Sequence, residues 1–269
     1  MSQRGPRVAP IGVALAGAGM ISWYHLVAWR NLGPRVRLVA VCDPDLEHGR
    51  RRAEEFGIAR VYEDPAAMLA AEGIDALDVA SPRETHAAWV EAAAARAIDV
   101  LCQKPLTPTL ADAETLIRAV EGKTRLMVHE NWRFRPWYRE LKRWIAEGEL
   151  GEIVLARLAM ISSGFLPDAS GRRPAFERQP FMAREARLMI AEVLIHHLDV
   201  MRFLCGALRV AGARAARTLP EVRGETVATV FLETGAPFET DPTDNLETLR
   251  LVDHAYWAAG LHDPRPTPR

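Results

Sequence analysis

Lys104 stands directly before Pro105, at the end of the run Val100-Leu101-Cys102-Gln103. A lysine in that place can donate to a substrate oxygen and relay a proton. A second proton-carrying set is Glu192, His196 and Asp199, which share one narrow stripe of a helix. Leu188, Val193, Leu194, Ile195, Leu198, Val200 and Met201 surround them, so the stripe must be buried and paired or must line a pocket. A carboxylate one turn from a histidine orients the ring and supports the imidazolium, the part assigned here to Glu192 beside His196. Two blander readings stay open: a surface lysine before a proline, and a core histidine satisfied by Glu192. His197 points elsewhere and is given no role. Zinc is not expected, because no cysteine or further histidine has supporting spacing, and no metal is assigned.

A third motif lies earlier. The apolar run Val13-Ala14-Leu15-Ala16 enters Gly17-Ala18-Gly19-Met20-Ile21-Ser22, and Asp43 closes the next apolar run, 36–42. Gly17 permits a tight turn and Gly19 lets backbone approach a pyrophosphate, which then rests on the N-terminus of the following helix. Ser22 replaces the third glycine and is still small enough for close helix–strand packing. Asp43 accepts from ribose hydroxyls and repels a 2′-phosphate, so NAD is favoured over NADP. The alternatives are a plain tight loop for the glycines and a turn cap with Pro44 for Asp43.

These residues need elements to position them. Strand-like runs at 11–16, 36–42, 76–80, 100–102 and 125–129 alternate with helical patterns at 24–31, 46–56, 65–71, 85–95 and 110–120. Such alternation predicts a doubly wound parallel sheet with helices on both faces. Asp64 before Pro65 reads as an N-cap before a proline-tolerant first turn. After His129 the pattern changes. A helix is expected at 139–147, a strand at 153–162, a loop at 164–182, and a strong helix at 187–204. Strands at 210–217 and 226–232, a turn at 234–243 and a helix at 245–259 complete the chain. Strands without interleaved helices suggest an antiparallel sheet. The expected domains are 1–128 and 129–269.

The bulk numbers exclude several classes. The 269 residues are 49% hydrophobic, enough for one large or two modest cores. Formal net charge is −1, so nothing favours nucleic acid or an anionic membrane, and neither is an expected partner. Arg50-Arg51-Arg52 reads as a solvated helix face. Cys42, Cys102 and Cys205 are scattered and show no disulfide framework, which suits a reducing compartment. Residues 1–10 lack the apolar core of a secretory signal, and no apolar run is long enough to span a bilayer. A cytoplasmic protein is expected.

The chain resembles the Gfo/Idh/MocA family of nicotinamide-dependent sugar and polyol oxidoreductases. The matching residues are the glycine turn with His25, Cys42-Asp43-Pro44, Ser81-Pro82 with His86, Gln103-Lys104-Pro105, Asn131-Trp132-Arg133-Phe134 with Pro136, and the helix with Glu192, His196 and Asp199. The resemblance covers essentially the whole chain. It implies a Rossmann domain followed by an α+β domain with an open-faced antiparallel sheet, here shortened by several strands and a helix. It implies catalysis by Lys104 and His196, with Glu192 where the family usually has Asp. It places Gly17, Gly19, Met20, Ile21, Asp43, Ser81, Pro82, His86, Gln103 and Lys104 at the cofactor, with Gln103 replacing the usual Glu. Trp132, Arg133 and Asp199 are candidates for holding substrate. The expected reaction moves a hydride between NAD and a hydroxyl carbon of a sugar or polyol. Two alternatives stand beside it: a catalytically impaired NAD-binding sensor or partner protein, and a lyase or glycosidase using transient oxidation. A homo-oligomer built through the second-domain sheet is the further partner considered.

Overall fold

The computed structural model describes residues 10–153, 155–235 and 242–261, and the chain divides at His129/Glu130 into two compact units. The expected polar N-terminus and most of the turn at 234–243 lie outside the described residues.

In the first unit, six parallel strands form one sheet: β1 (Ile11–Ala16), β2 (Val36–Cys42), β3 (Val61–Tyr62), β4 (Ala76–Val79), β5 (Asp99–Gln103) and β6 (Leu126–His129). Their order is β3-β2-β1-β4-β5-β6, which puts a topological switch between β1 and β4, where open α/β sheets bind ligands. The linking helices are α1 (Met20–Arg30), α2 (Leu46–Phe56), α3 (Pro65–Leu69), α4 (His86–Ala95) and α5 (Leu110–Val120). Central strands covered on both faces are largely apolar. Accordingly Val13, Ala14, Leu15 and Ala16 are all buried, and Leu15, Leu26, Val41 and Ile58 share one core cluster. Helix starts follow local chemistry. Asp45 accepts the N–H groups of Glu47 and His48, and Asp64 accepts those of Ala66 and Ala67 just before Pro65.

The second unit holds α6 (Pro136–Ala146), α7 (Pro174–Arg178), a π-helical segment Met189–Leu194 that runs into α8 (Ile195–Cys205), strands β7 (Ala207–Ala216) and β8 (Val227–Gly235), and α9 (Pro242–Ala258). β7 and β8 pair antiparallel with a bulge between Val210 and Gly212. On one face of this ribbon Val227 and Phe231 are exposed.

The strand expected at 153–162 does not form among the described residues. Its apolar members are left in solvent instead: Leu155 is 87% and Ile161 99% exposed. Alternation is necessary for a half-buried strand but not sufficient. A strand also needs neighbours for its backbone groups, and β7 and β8 make only a two-stranded sheet.

Candidate active site

In the first unit, the glycine turn is shaped from both sides. Gly17 has φ +91°, and a Cβ there would lie 2.7 Å from the Ser81 backbone, so only glycine fits. A Cβ on Gly19 would meet nothing within 4 Å. That open space faces a cleft of about 400 Å³ lined by Ala18, Gly19, Met20, His48, Arg51 and Arg52. Helix α1 starts at Gly19 with no side-chain cap, leaving its first N–H groups for an anion. Asp43 is nearly buried; its Oδ2 accepts the Ala18 N–H at 2.7 Å and its Oδ1 the Asp45 N–H at 2.9 Å. Each oxygen can accept more than one bond, so Asp43 can brace the turn and still meet ribose hydroxyls. A glycine that must be glycine, an open approach, an uncapped helix start and an acceptor at the end of β2 together fit a dinucleotide.

Gln103 ends β5 and Lys104 follows it, joined to Pro105 by a cis peptide bond. His86, which the resemblance places at the cofactor, is buried between two backbone carbonyls. It is 1% exposed, with Nδ1 2.9 Å from the Pro105 carbonyl and Nε2 2.9 Å from the Ser81 carbonyl. It ties the loop after β4 to the turn after β5. Ser81 Oγ lies 2.6 Å from Thr85 Oγ1 at the start of the segment that leads into α4.

In the second unit, His196 lies on α8. The Glu130 carboxylate lies at its Nδ1, with oxygens at 2.7 and 3.0 Å. Glu192 sits in the preceding π-helical segment, Met189–Leu194, whose turns bond i→i+5. Trp132 stacks on the His196 ring, with centroids 5.0 Å apart and planes 3° from parallel. Arg135 lies over the other ring system of this stack, 4.0 Å from the Trp132 centroid. Arg133 and Asp199, expected to hold substrate, are committed to each other. Both are almost fully buried, and Arg133 grips Asp199 with two nitrogens, Nε to Oδ2 at 2.8 Å and Nη2 to Oδ1. A buried, bidentate Arg–carboxylate pair is a structural clamp.

Two carboxylates escaped the sequence reading. Glu130 directly follows β6 and is 2% exposed; an acidic residue at the carboxyl end of a parallel strand was the available signal. Glu225 is 3% exposed and accepts the N–H groups of Leu188 (3.2 Å) and Ile190 (2.8 Å) and the Tyr256 hydroxyl (2.5 Å). It caps the start of the helical run that carries His196. Burial first, and Glu225 second, push the Tyr256 phenol far above its ordinary value.

Comparison with known proteins places this architecture. The NAD-binding Rossmann fold of the oxidoreductase family, GFO_IDH_MocA, matches residues 11–131, and the GFO/IDH/MocA C-terminal domain matches 138–238. A D-apiose dehydrogenase of Paraburkholderia graminis is 38% identical over 220 residues, covering 81% of this chain and 56% of the relative. An inositol 2-dehydrogenase of Acidothermus cellulolyticus is 30% identical over 246 residues, covering 88% of this chain and 67% of the relative. A solved oxidoreductase from Agrobacterium radiobacter, in complex with NAD+, L-tartaric acid and magnesium, is 26% identical with a TM-score of 0.84, covering 94% of this chain and 97% of that one. The fold is therefore that of a nicotinamide-binding Rossmann unit followed by an α+β unit. The chain belongs to the Gfo/Idh/MocA family. It spans only 56% and 61% of the length of two D-apiose dehydrogenases that it matches.

Proposed function

We propose that the protein is an NAD-dependent dehydrogenase acting on a hydroxyl carbon of a sugar or polyol. The observation that carries this reading is the Glu130–His196 pair, a buried carboxylate on Nδ1 of a histidine. NAD, when bound, supplies the hydride acceptor. His196 takes the substrate's hydroxyl proton through Nε2, because Glu130 holds the proton of the neutral ring on Nδ1 and stabilises the imidazolium that follows. Trp132 fixes the plane of the ring by stacking on it. Lys104 donates to the substrate oxygen from the end of β5. Gly19, Met20 and Ile21 hold the pyrophosphate with backbone N–H groups, and Asp43 meets the adenosine ribose. Arg133 and Asp199 hold the segment that bears Trp132 against α8, and contribute to substrate binding through that placement.

Several observations support the enzyme reading over a binding-only relative. The relatives named above are dehydrogenases of an apiose and of inositols. The Agrobacterium protein, covered to 97% of its length, is described with NAD+ bound. Burial pushes the Cys42 thiol up to about 12 and the Cys102 thiol well above its ordinary range, so neither is a poised nucleophile. Reduced, buried cysteines also support a cytoplasmic setting. The exposed Val227, Phe231, Leu155 and Ile161 support a homo-oligomer in which a second copy covers these residues.

The test is NADH formation with D-apiose, inositols and related polyols, in the parent protein and in Lys104→Ala and His196→Ala. Turnover that falls by about 10² or more in both variants, with NADH binding kept, supports the assignment. Turnover unchanged in either removes that residue from the mechanism.

A further inference from the structure

Asp78 lies in the middle of β4, 0% exposed, in a strand otherwise apolar. A carboxylate in such a place must be paired, and its partners lead to Lys104. Trp29 Nε1 donates to Asp78 Oδ2 at 2.5 Å. His25, from α1 and 3% exposed, presents Nδ1 to both Asp78 oxygens at 2.8 and 3.0 Å. His25 Nε2 is 3.1 Å from Gln103 Nε2, and Gln103 Oε1 accepts the backbone N–H of Lys104 at 2.6 Å.

The proton positions along this line follow from the one donor that cannot change. The Lys104 N–H is an obligatory donor, so the Gln103 oxygen must face it. The Gln103 amide nitrogen then faces His25 and donates to Nε2. Nε2 must therefore be bare, and the ring is neutral with its proton on Nδ1, donated to Asp78. Every atom in the line has its complement in this arrangement and in no other. The groups around the His25 ring are Asp78 on β4, Gln103 on β5, Trp29 on α1, and His129 on β6, whose ring centroid is 4.4 Å away.

We infer that Asp78, His25 and Gln103 form a positioning relay that sets the backbone at Lys104, and that glutamine at 103 closes it without an extra proton on the ring. A glutamate there would be an acceptor only. It would face either Nε2 or the Lys104 N–H, and to do both it would need a second proton on the ring, held between two carboxylates. The relay would then be intact only while that extra proton is bound. Glutamine supplies its own donor and removes this condition. The functional weight of the relay rests on the reading of Lys104 as catalytic; its geometry does not.

The experiment is nitrogen-resolved NMR of the His25 ring in the full-length protein, with the parent compared to Gln103→Glu and Gln103→Met. The parent should show a neutral ring protonated at Nδ1. Gln103→Glu should show both ring nitrogens protonated and a turnover–pH profile displaced from the parent's. Gln103→Met keeps the volume but cuts the line; kcat should fall roughly tenfold with KM for NAD little changed. A parent ring protonated at Nε2, or doubly protonated, overturns the relay. So does a Gln103→Met protein with unaltered kcat, provided Lys104→Ala is inactive. If Lys104→Ala is itself fully active, the catalytic reading fails, while the ring tautomer still decides the geometry.

Discussion

His196 Nδ1 sits 2.7 Å from the Glu130 carboxylate, across 66 residues of sequence and within one folded unit. The pair joins the residue after β6 to the helix α8. Because Glu130 is 2% exposed, water screens its charge little, and in the proposed mechanism it would strongly support an imidazolium at His196. Glu130→Gln keeps an acceptor for Nδ1 but removes the charge. It should lower kcat by roughly 10² with NADH affinity unchanged. Glu192→Gln should cost much less. Steady-state kinetics of the two variants decide between them, and a larger loss from Glu192→Gln would return the orienting role to Glu192.

Arg133 and Asp199 make a contrasting pair, since neither is accessible to a ligand. Arg133→Met leaves the Asp199 carboxylate buried with its main partner gone. Breaking a buried pair from one side costs about 3–5 kcal/mol, which for a chain of this size lowers Tm by roughly 10 °C. Replacing both, as Arg133→Met with Asp199→Leu, should recover part of that loss. Scanning calorimetry reads the difference. A variant with full Tm but a KM raised for the polyol would show that Arg133 does touch substrate.

The first unit was largely legible because each βα step is local. The runs 11–16 and 36–42 coincide with β1 and β2, and Asp64-Pro65 starts a helix as its chemistry requires. β3 escaped because Val61–Tyr62 is two residues long, too short for any periodicity. In the second unit the signals were non-local. The 187–204 helix was visible in its apolar pattern, but the π-helical start at Met189–Leu194 was not. Residues 153–162 carry a strand's alternation without a sheet to join. Glu130 and Asp78 are single acidic residues whose partners lie 66 and 53 positions away, so the fold was needed to reveal those partners.

Gly17 and Gly19 should separate folding from cofactor binding. Alanine at Gly17 must adopt a left-handed φ and push into the Ser81 backbone. The strain alone costs about 1–3 kcal/mol, so Gly17→Ala should lose stability along with NADH binding. Alanine at Gly19 meets no protein atom, so Gly19→Ala should fold with an unchanged Tm. If the proposed cofactor placement holds, its methyl group meets the pyrophosphate, and Kd for NADH should rise roughly tenfold or more, about 1.4 kcal/mol. Tryptophan-fluorescence titration beside thermal melts checks both. Full NADH affinity in Gly19→Ala would put the pyrophosphate elsewhere.

His86 makes stability depend on pH in a defined direction. Burial lowers its pKa below the ordinary 6.5, and the Ser81 and Pro105 carbonyls oppose that shift without reversing it. His197 is lowered too, again chiefly by burial. A histidine with a depressed folded pKa is neutral in the native state, and a neutral His86 ring donates to only one of its two carbonyl neighbours. As pH falls below 6.5, the unfolded chain takes up a proton that the folded chain refuses, so unfolding is favoured. Stability should therefore be level above about pH 7.5 and decline from about pH 6.5 downward. The carboxylates lowered by their hydrogen bonds, Asp45 and Asp168 from 3.8 and Glu140 from 4.5, act only at more acid pH and do not blur this window. Thermal melts between pH 5 and pH 8 should show the decline, and His86→Gln should flatten it while lowering Tm throughout. An identical slope in His86→Gln would mean that the clamp between Ser81 and Pro105 accepts a proton without loosening.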